Sequence, residues 1–114
     1  MNSTDNIITF EDFSKVDLRV GTIIEVKDFP EARNPSYQLI IDFGDLGIRK
    51  SSAQITALYS KETLLNRQVI AVINFPKKQI AKFMSECLVL GAVEGSKVML
   101  LNPEQPVKNG SQVS

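Results

Sequence analysis

Apolar residues recur at every second position in short runs closed by turn-forming glycines and prolines, which leaves this chain little choice but a small all-β body. In residues 18–26 the even positions Leu18, Val20, Thr22, Ile24 and Val26 are mostly apolar, while Arg19 and Glu25 take odd ones. Gly21 interrupts that run and predicts a bulge or bend at its own position. A turn-rich connection containing Pro30, Arg33 and Pro35 follows. Tyr37, Leu39, Ile41 and Phe43 then share one face of a second strand, and the glycines at 44 and 47 suit a tight turn into a third strand at residues 48–53. Between Ile55 and Asn66 the spacing changes, and Leu58, Tyr59, Leu64 and Leu65 fit a short helix. Residues 68–75 and 87–92 are almost wholly apolar, which predicts fourth and fifth strands buried on both faces, in a wall that also meets a partner.

The ends are extensions of this body. Residues 1–8 are polar and expected to be flexible, whereas Thr9-Phe10-Glu11-Asp12 has the form of an N-cap and acidic first turn, with Phe10 and Phe13 on the buried side of a brief helix. Val98 to Leu101, then Pro103, Pro106 and Asn109-Gly110, predict a short strand and turns returning across the body. Residues 9–114 therefore read as one domain, without repeat or linker. Three strands, a helix and two strands, with short helices and terminal extensions, is the order of the five-stranded Greek-key barrel called the OB-fold. Its binding surface uses strands two and three with the loops joining strands one to two and four to five.

Composition removes several kinds of chemistry. The chain has no histidine, which takes away the commonest proton shuttle and metal ligand, and its glycines form no phosphate-cradling loop, so neither an enzyme nor a metal or other cofactor is expected. The single cysteine, Cys87, cannot form an internal disulfide and reads as a small core residue. No run approaches the ~20 apolar residues that span a bilayer, and the start lacks the basic head and apolar middle of a signal peptide; the expectation is a cytoplasmic protein without membrane insertion.

A net charge of zero hides a polarised chain. Residues 46–85 carry seven basic side chains against one acid, Glu62, so the remainder carries a net −6. Placed on the barrel, Arg33 falls in the first loop, Arg49 and Lys50 on the third strand, and Lys77, Lys78 and Lys82 in the loop between strands four and five. These six cations are expected to converge on one face, with Asn74 and Ser85 as hydrogen-bonding groups and Phe83 and Phe75 as stacking candidates. Phe75 also stands at core parity with Val69, Ala71 and Ile73, a position that favours core or interface filling. Ile80, Phe83 and Met84 add apolar contact for a bound polypeptide. Lys61 and Arg67 read as solvated helix flanks, and Arg19 beside Asp17 as an ion pair or subunit contact.

Several blocks taken together resemble a known family. Asp17-Leu18-Arg19-Val20-Gly21, Ser52-Ala53 with Tyr59, residues 74–92, and Pro106-Val107-Lys108-Asn109-Gly110-Ser111 resemble the tRNA-binding domains appended to methionyl-tRNA synthetases. Phe29-Pro30-Glu31-Ala32-Arg33, Ser51-Ser52-Ala53-Gln54-Ile55, Asn74-Phe75-Pro76 and Ser85-Glu86 before Leu88-Val89-Leu90-Gly91 look more narrowly like its CsaA branch of free-standing, export-related bacterial chaperones. The resemblance implies an OB-fold homodimer joined through barrel ends and terminal segments. It further implies binding of unfolded preproteins, with the secretion machinery as a further partner, or alternatively of tRNA or single-stranded nucleic acid. Pro76-Lys77-Lys78-Gln79, Cys87-Leu88 and Lys82 depart from the loop of the tRNA-binding members and disfavour close backbone approach to a nucleotide.

Overall fold

A computed structural model describes residues 6–114. In chain order the elements are α1 (Phe10–Ser14), β1 (Leu18–Asp28), β2 (Tyr37–Asp42), β3 (Ile48–Ala53), α2 (Lys61–Leu64), β4 (Gln68–Val72), β5 (Lys78–Ile80), β6 (Phe83–Ser85), β7 (Leu88–Val89), β8 (Gly91–Glu94), β9 (Lys97–Leu100) and β10 (Gln112–Val113). The main sheet runs β3-β2-β1-β4-β7, while β5-β6 and β8-β9 are separate hairpins. This is the expected all-β OB-type barrel with short helices and terminal extensions.

The long strand β1 makes the barrel curve, because its two halves belong to different ladders. Leu18 to Thr22 pair with β4, and Thr22 to Asp28 pair with β2. The bulge predicted at Gly21 lies instead at Ile24, where the register steps from Ile23↔Ile41 to Glu25↔Ile40. Gly21 stays in register opposite Val69, and its missing side chain makes room for the core: an added Cβ would lie 2.6 Å from Ile41 Cγ2 and 2.7 Å from the Phe43 ring. The extra residue at 24 also resets which positions face inward. Ile23 is fully buried and Ile24 is exposed, so the predicted even-position face is correct for Leu18 and Val20 only as a second buried surface outside the main cluster. The C-terminal segment runs along that end of β1: Val113 stands opposite Leu18, and Val20 bonds through its N–H to Ser111 and through its C=O to Gly110.

Leu39, Ile41 and Phe43 are fully buried, as their shared face predicts, and join Ile23, Leu64, Val69, Ala71, Ile73 and Cys87 in one core. The helix expected from Ile55 to Asn66 shrinks to α2, because a Ser60–Thr63 capping box fixes its start and Leu65 is already extended. Leu58 and Leu65 are consequently exposed. At α1 the Thr9 cap is present with its reciprocal Asp12 bond, yet the helix buries no residue and Phe10 is 80% exposed, contrary to expectation. Of the segment predicted to be flexible, residues 1–5 lie outside those described, and Ile7 and Ile8 are exposed.

The two apolar strands differ most from expectation. β4 ends at Val72; Ile73 remains buried, but Phe75 is 53% exposed and does not continue the core face. The fifth strand breaks after β7, where Leu90 bonds to Ile70 and the chain leaves the sheet to form the β8-β9 hairpin. Leu88 and Ala92 are exposed rather than buried on both faces. Among the described residues no helix is long and apolar enough to cross a membrane.

Replacing Gly21 with Ala should cost about 1–3 kcal/mol through overpacking against Ile41 and Phe43. A lowered urea midpoint with unchanged slope is the expected result; an unaltered midpoint would show that the Phe43 ring yields freely.

Candidate binding surface

The far edges of the main sheet, β3 and β7, close the barrel through a seam of one main-chain bond and several side-chain bonds instead of a regular ladder. Lys50 C=O accepts from Glu86 N–H at 2.7 Å, and Lys50 N–H donates to Glu86 Oε1 at 3.0 Å. Ser51 Oγ, fully buried, donates to Cys87 C=O at 3.0 Å, while Ser52 N–H donates to Ser85 Oγ at 3.2 Å. Ser85, expected to meet a ligand, is thus held in this seam. Burial pushes the Cys87 thiol up to about 11, against smaller opposing effects from the Ser51 hydrogen bond and the Arg49 charge. A buried neutral thiol is a packing group, as its sequence context predicts.

The predicted convergence of six cations is partial. Lys77, Lys78 and Lys82 lie on or beside the β5-β6 hairpin, and Lys50 reaches it from β3, its ammonium 5.4 Å from the Phe83 ring centre. Arg49 differs because adjacent strand residues face opposite ways. It pairs in register with the core residue Ile41, and its guanidinium donates to Ile73 C=O at 3.0 Å. Arg33 is exposed, and among the described residues no hydrogen bond or ion pair joins it to the others. Lys77 spends part of its charge on Glu86, 3.5 Å away, whereas Lys78 and Lys82 have no acidic partner among the described residues.

Asn74 and Phe83 are both occupied by the protein itself. Asn74 Oδ1 accepts from Asp17 N–H at 2.9 Å and its Nδ2 donates to Lys15 C=O at 2.7 Å, so the side chain ties the segment after β4 to the α1–β1 connection and is not available to a phosphate. Phe83 is 8% exposed and packs on Phe29 with ring centres 5.3 Å apart, which makes it the support of the hairpin and removes it as a free stacking platform. Met84 and Ile80 are half-buried. Away from this region, Arg19 pairs with Asp17 at 2.7 Å, as expected. Lys61 and Arg67 are held more firmly than solvated flanks: Lys61 bonds to Asp28 at 2.8 Å, which raises its pKa, and Arg67 lies 5.1 Å from the Tyr59 ring.

Among the depressions beside the hairpin, two are larger. One, of about 440 Å³, lies between Ser52–Ile55 on one side and Leu88–Gly91 on the other, with Ile80 and Lys78 on its wall. The other, of about 690 Å³, is bounded by Phe29, Glu31, Gln38, Ala81, Lys82 and Phe83. Gln54, Val89 and Val93 enter the first groove although none of them reads as a site residue in the sequence; the signal for it was Gly91, whose added Cβ would meet Val98 at 2.5 Å and which marks where the strand turns out of the barrel. Among the described residues no cluster of acidic or cysteine side chains is arranged to hold a metal ion.

A family model described as "Putative tRNA binding domain" matches residues 18–112, the barrel together with its C-terminal lacing. The chain belongs to this family. Within the tRNA-binding-domain family it is similar to the chaperone CsaA of Bacillus anthracis, with 50% identity and a TM-score of 0.91 over 95% of this chain and 99% of that one. CsaA of Picrophilus torridus is similar to it at 54% identity and a TM-score of 0.90, over 95% and 100% of the two chains. The methionine–tRNA ligase of Pyrococcus abyssi is 42% identical over 106 residues, 93% of this chain. The match occupies 14% of that ligase, so the chain spans only a small part of such curated relatives. The expected resemblance to CsaA within a tRNA-binding-domain family is met.

Because an unfolded thiol ionises near ~8.5 and Cys87 at about 11, the folded state holds this proton more tightly. The associated stability is complete below about 8.5 and is lost as pH rises toward about 11. Iodoacetamide at pH 8 should label the urea-unfolded chain and spare the folded one, with labelling of the folded protein accelerating toward high pH. Equal rates at pH 8 would contradict a buried neutral thiol.

Proposed function

We propose that this chain is a non-enzymatic, CsaA-type chaperone that binds unfolded preproteins in the cytoplasm before export and hands them to the secretion machinery. The observation that carries this reading is the apolar groove beside β3, where Ile80 and Val89 face a space that contains a single charged side chain, Lys78. Full-length similarity to two CsaA chaperones supports it. Each apolar side chain of a client buried there contributes about 1.5–3 kcal/mol before the cost of ordering the segment, which suits weak and promiscuous holding. Ile80→Asp should reduce suppression of client aggregation about tenfold while the circular dichroism stays native; undiminished suppression by the folded variant would overturn the assignment.

The protein acts as a homodimer in this reading. Ile7, Ile8 and Phe10 are 72%, 65% and 80% exposed at one terminal segment, an apolar display that a second copy would cover. Sedimentation should give a dimer for the parent protein and a monomer for Phe10→Asp, and a monomeric parent at micromolar concentration would dismiss the arrangement.

Binding of tRNA or single-stranded nucleic acid is the second reading, favoured by the family and by Lys82 and Gln38 on the larger depression. With Lys50, Lys78 and Lys82 as the available cations, about three phosphates are neutralised, and log affinity should fall against log salt with a slope of roughly −2. Peptide capture should instead change little with salt. A salt-insensitive RNA complex would remove the charge-driven mode.

A further inference from the structure

We propose that the groove beside β3 takes an extended polypeptide as an added β-strand, its main chain pairing with the outer edge of β3 at Ser52 and with Gln54 just past the end of the strand. The inference rests on the chaperone reading and specifies how the client is held. Along β3, Lys50 turns both its main-chain groups to Glu86, and Ser52 turns its N–H to Ser85, away from β2. Main-chain groups alternate between the two edges of a strand. The Ser52 C=O therefore follows on that outer edge, the same alternation carried one step past β3 puts the Gln54 N–H and C=O there, and no group among the described residues is bonded to Gln54. The seam has ended by this point, so the edge runs open into the groove.

The surroundings fit an extended chain. The groove lining includes Ile80, Val89 and Val93, which supply apolar contact for alternate side chains of a strand. Lys78, the single charged residue of the lining, makes no ion pair and complements an acidic client side chain. One cation among apolar walls does not suit a phosphate backbone, so the occupant is a peptide with alternating apolar residues and an acid near one end. An open edge is ordinarily an aggregation hazard blunted by charge. Here Lys78 restricts self-pairing while admitting an acidic partner.

The test uses ¹⁵N-labelled full chain and an acetylated peptide of alternating valine and threonine ending in aspartate. Binding should slow amide exchange at Gln54. N-methylation of successive peptide amides should weaken binding about tenfold at every second position and little at those between, since each main-chain hydrogen bond contributes on the order of 1 kcal/mol. Lys78→Gln should weaken the aspartate peptide several-fold but not its asparagine counterpart. Binding without the two-residue period, or without protection at Gln54, would overturn strand addition and leave the chaperone reading standing. No binding of this peptide together with no suppression of aggregation would overturn both, and protection of Gln54 by an RNA oligonucleotide alone would transfer the groove to the other ligand class.

Discussion

The grooved side of this molecule depends on how its barrel closes. A sheet ordered β3-β2-β1-β4-β7 leaves two outer edges, and a continuous ladder between them would satisfy every main-chain group while leaving no groove. Glu86, Ser51 and Ser85 join them at one end only, through bonds between Lys50 and Glu86, Ser51 and Cys87, and Ser52 and Ser85. Side chains of fixed reach stop where the sequence stops supplying them. Beyond Ser52 no such bond follows among the described residues, and Ala53, Gln54 and Ile55 line the cavity.

The seam also explains why charge and apolar contact are arranged as they are. Glu86 draws Lys77 toward itself while bonding the Lys50 backbone, which reduces the positive field of the hairpin just where the loop is richest in lysine. Phe83 goes under the hairpin against Phe29, and Lys50 lies over its ring. A loop that reads as a basic, aromatic platform for nucleic acid thus becomes a braced hairpin with its cations at the rim and its groove apolar.

Much of the barrel was legible in residue order, because alternation in β2 and the glycine-bounded turn before β3 act locally. The site was less so, for reasons that local patterns cannot carry. Ile24 and Gly21 exchange roles because a bulge and a close approach leave the same interruption in a strand, and only the position of Phe43 separates them. Asn74 and Ser85 carry groups suited to a ligand, yet the backbone amides of Asp17 and Ser52 reach them from far along the chain. Arg49 and Lys50 are neighbours of like charge that a strand sends to opposite faces. Phe75 and Leu88 have the composition of core, but β4 ends before Phe75, and Leu88 lies on the edge strand β7 with its side chain exposed.

Asn74 holds Lys15 and Asp17 from one side chain, and Asp17 C=O accepts from Ile73, so the short helix α1 is moored although it buries nothing. Its exposed aromatic residue is therefore carried on a rigid mount. An apolar group already fixed in direction surrenders little freedom when a neighbour docks on it, so even a modest contact area at this end of the barrel is converted efficiently into affinity.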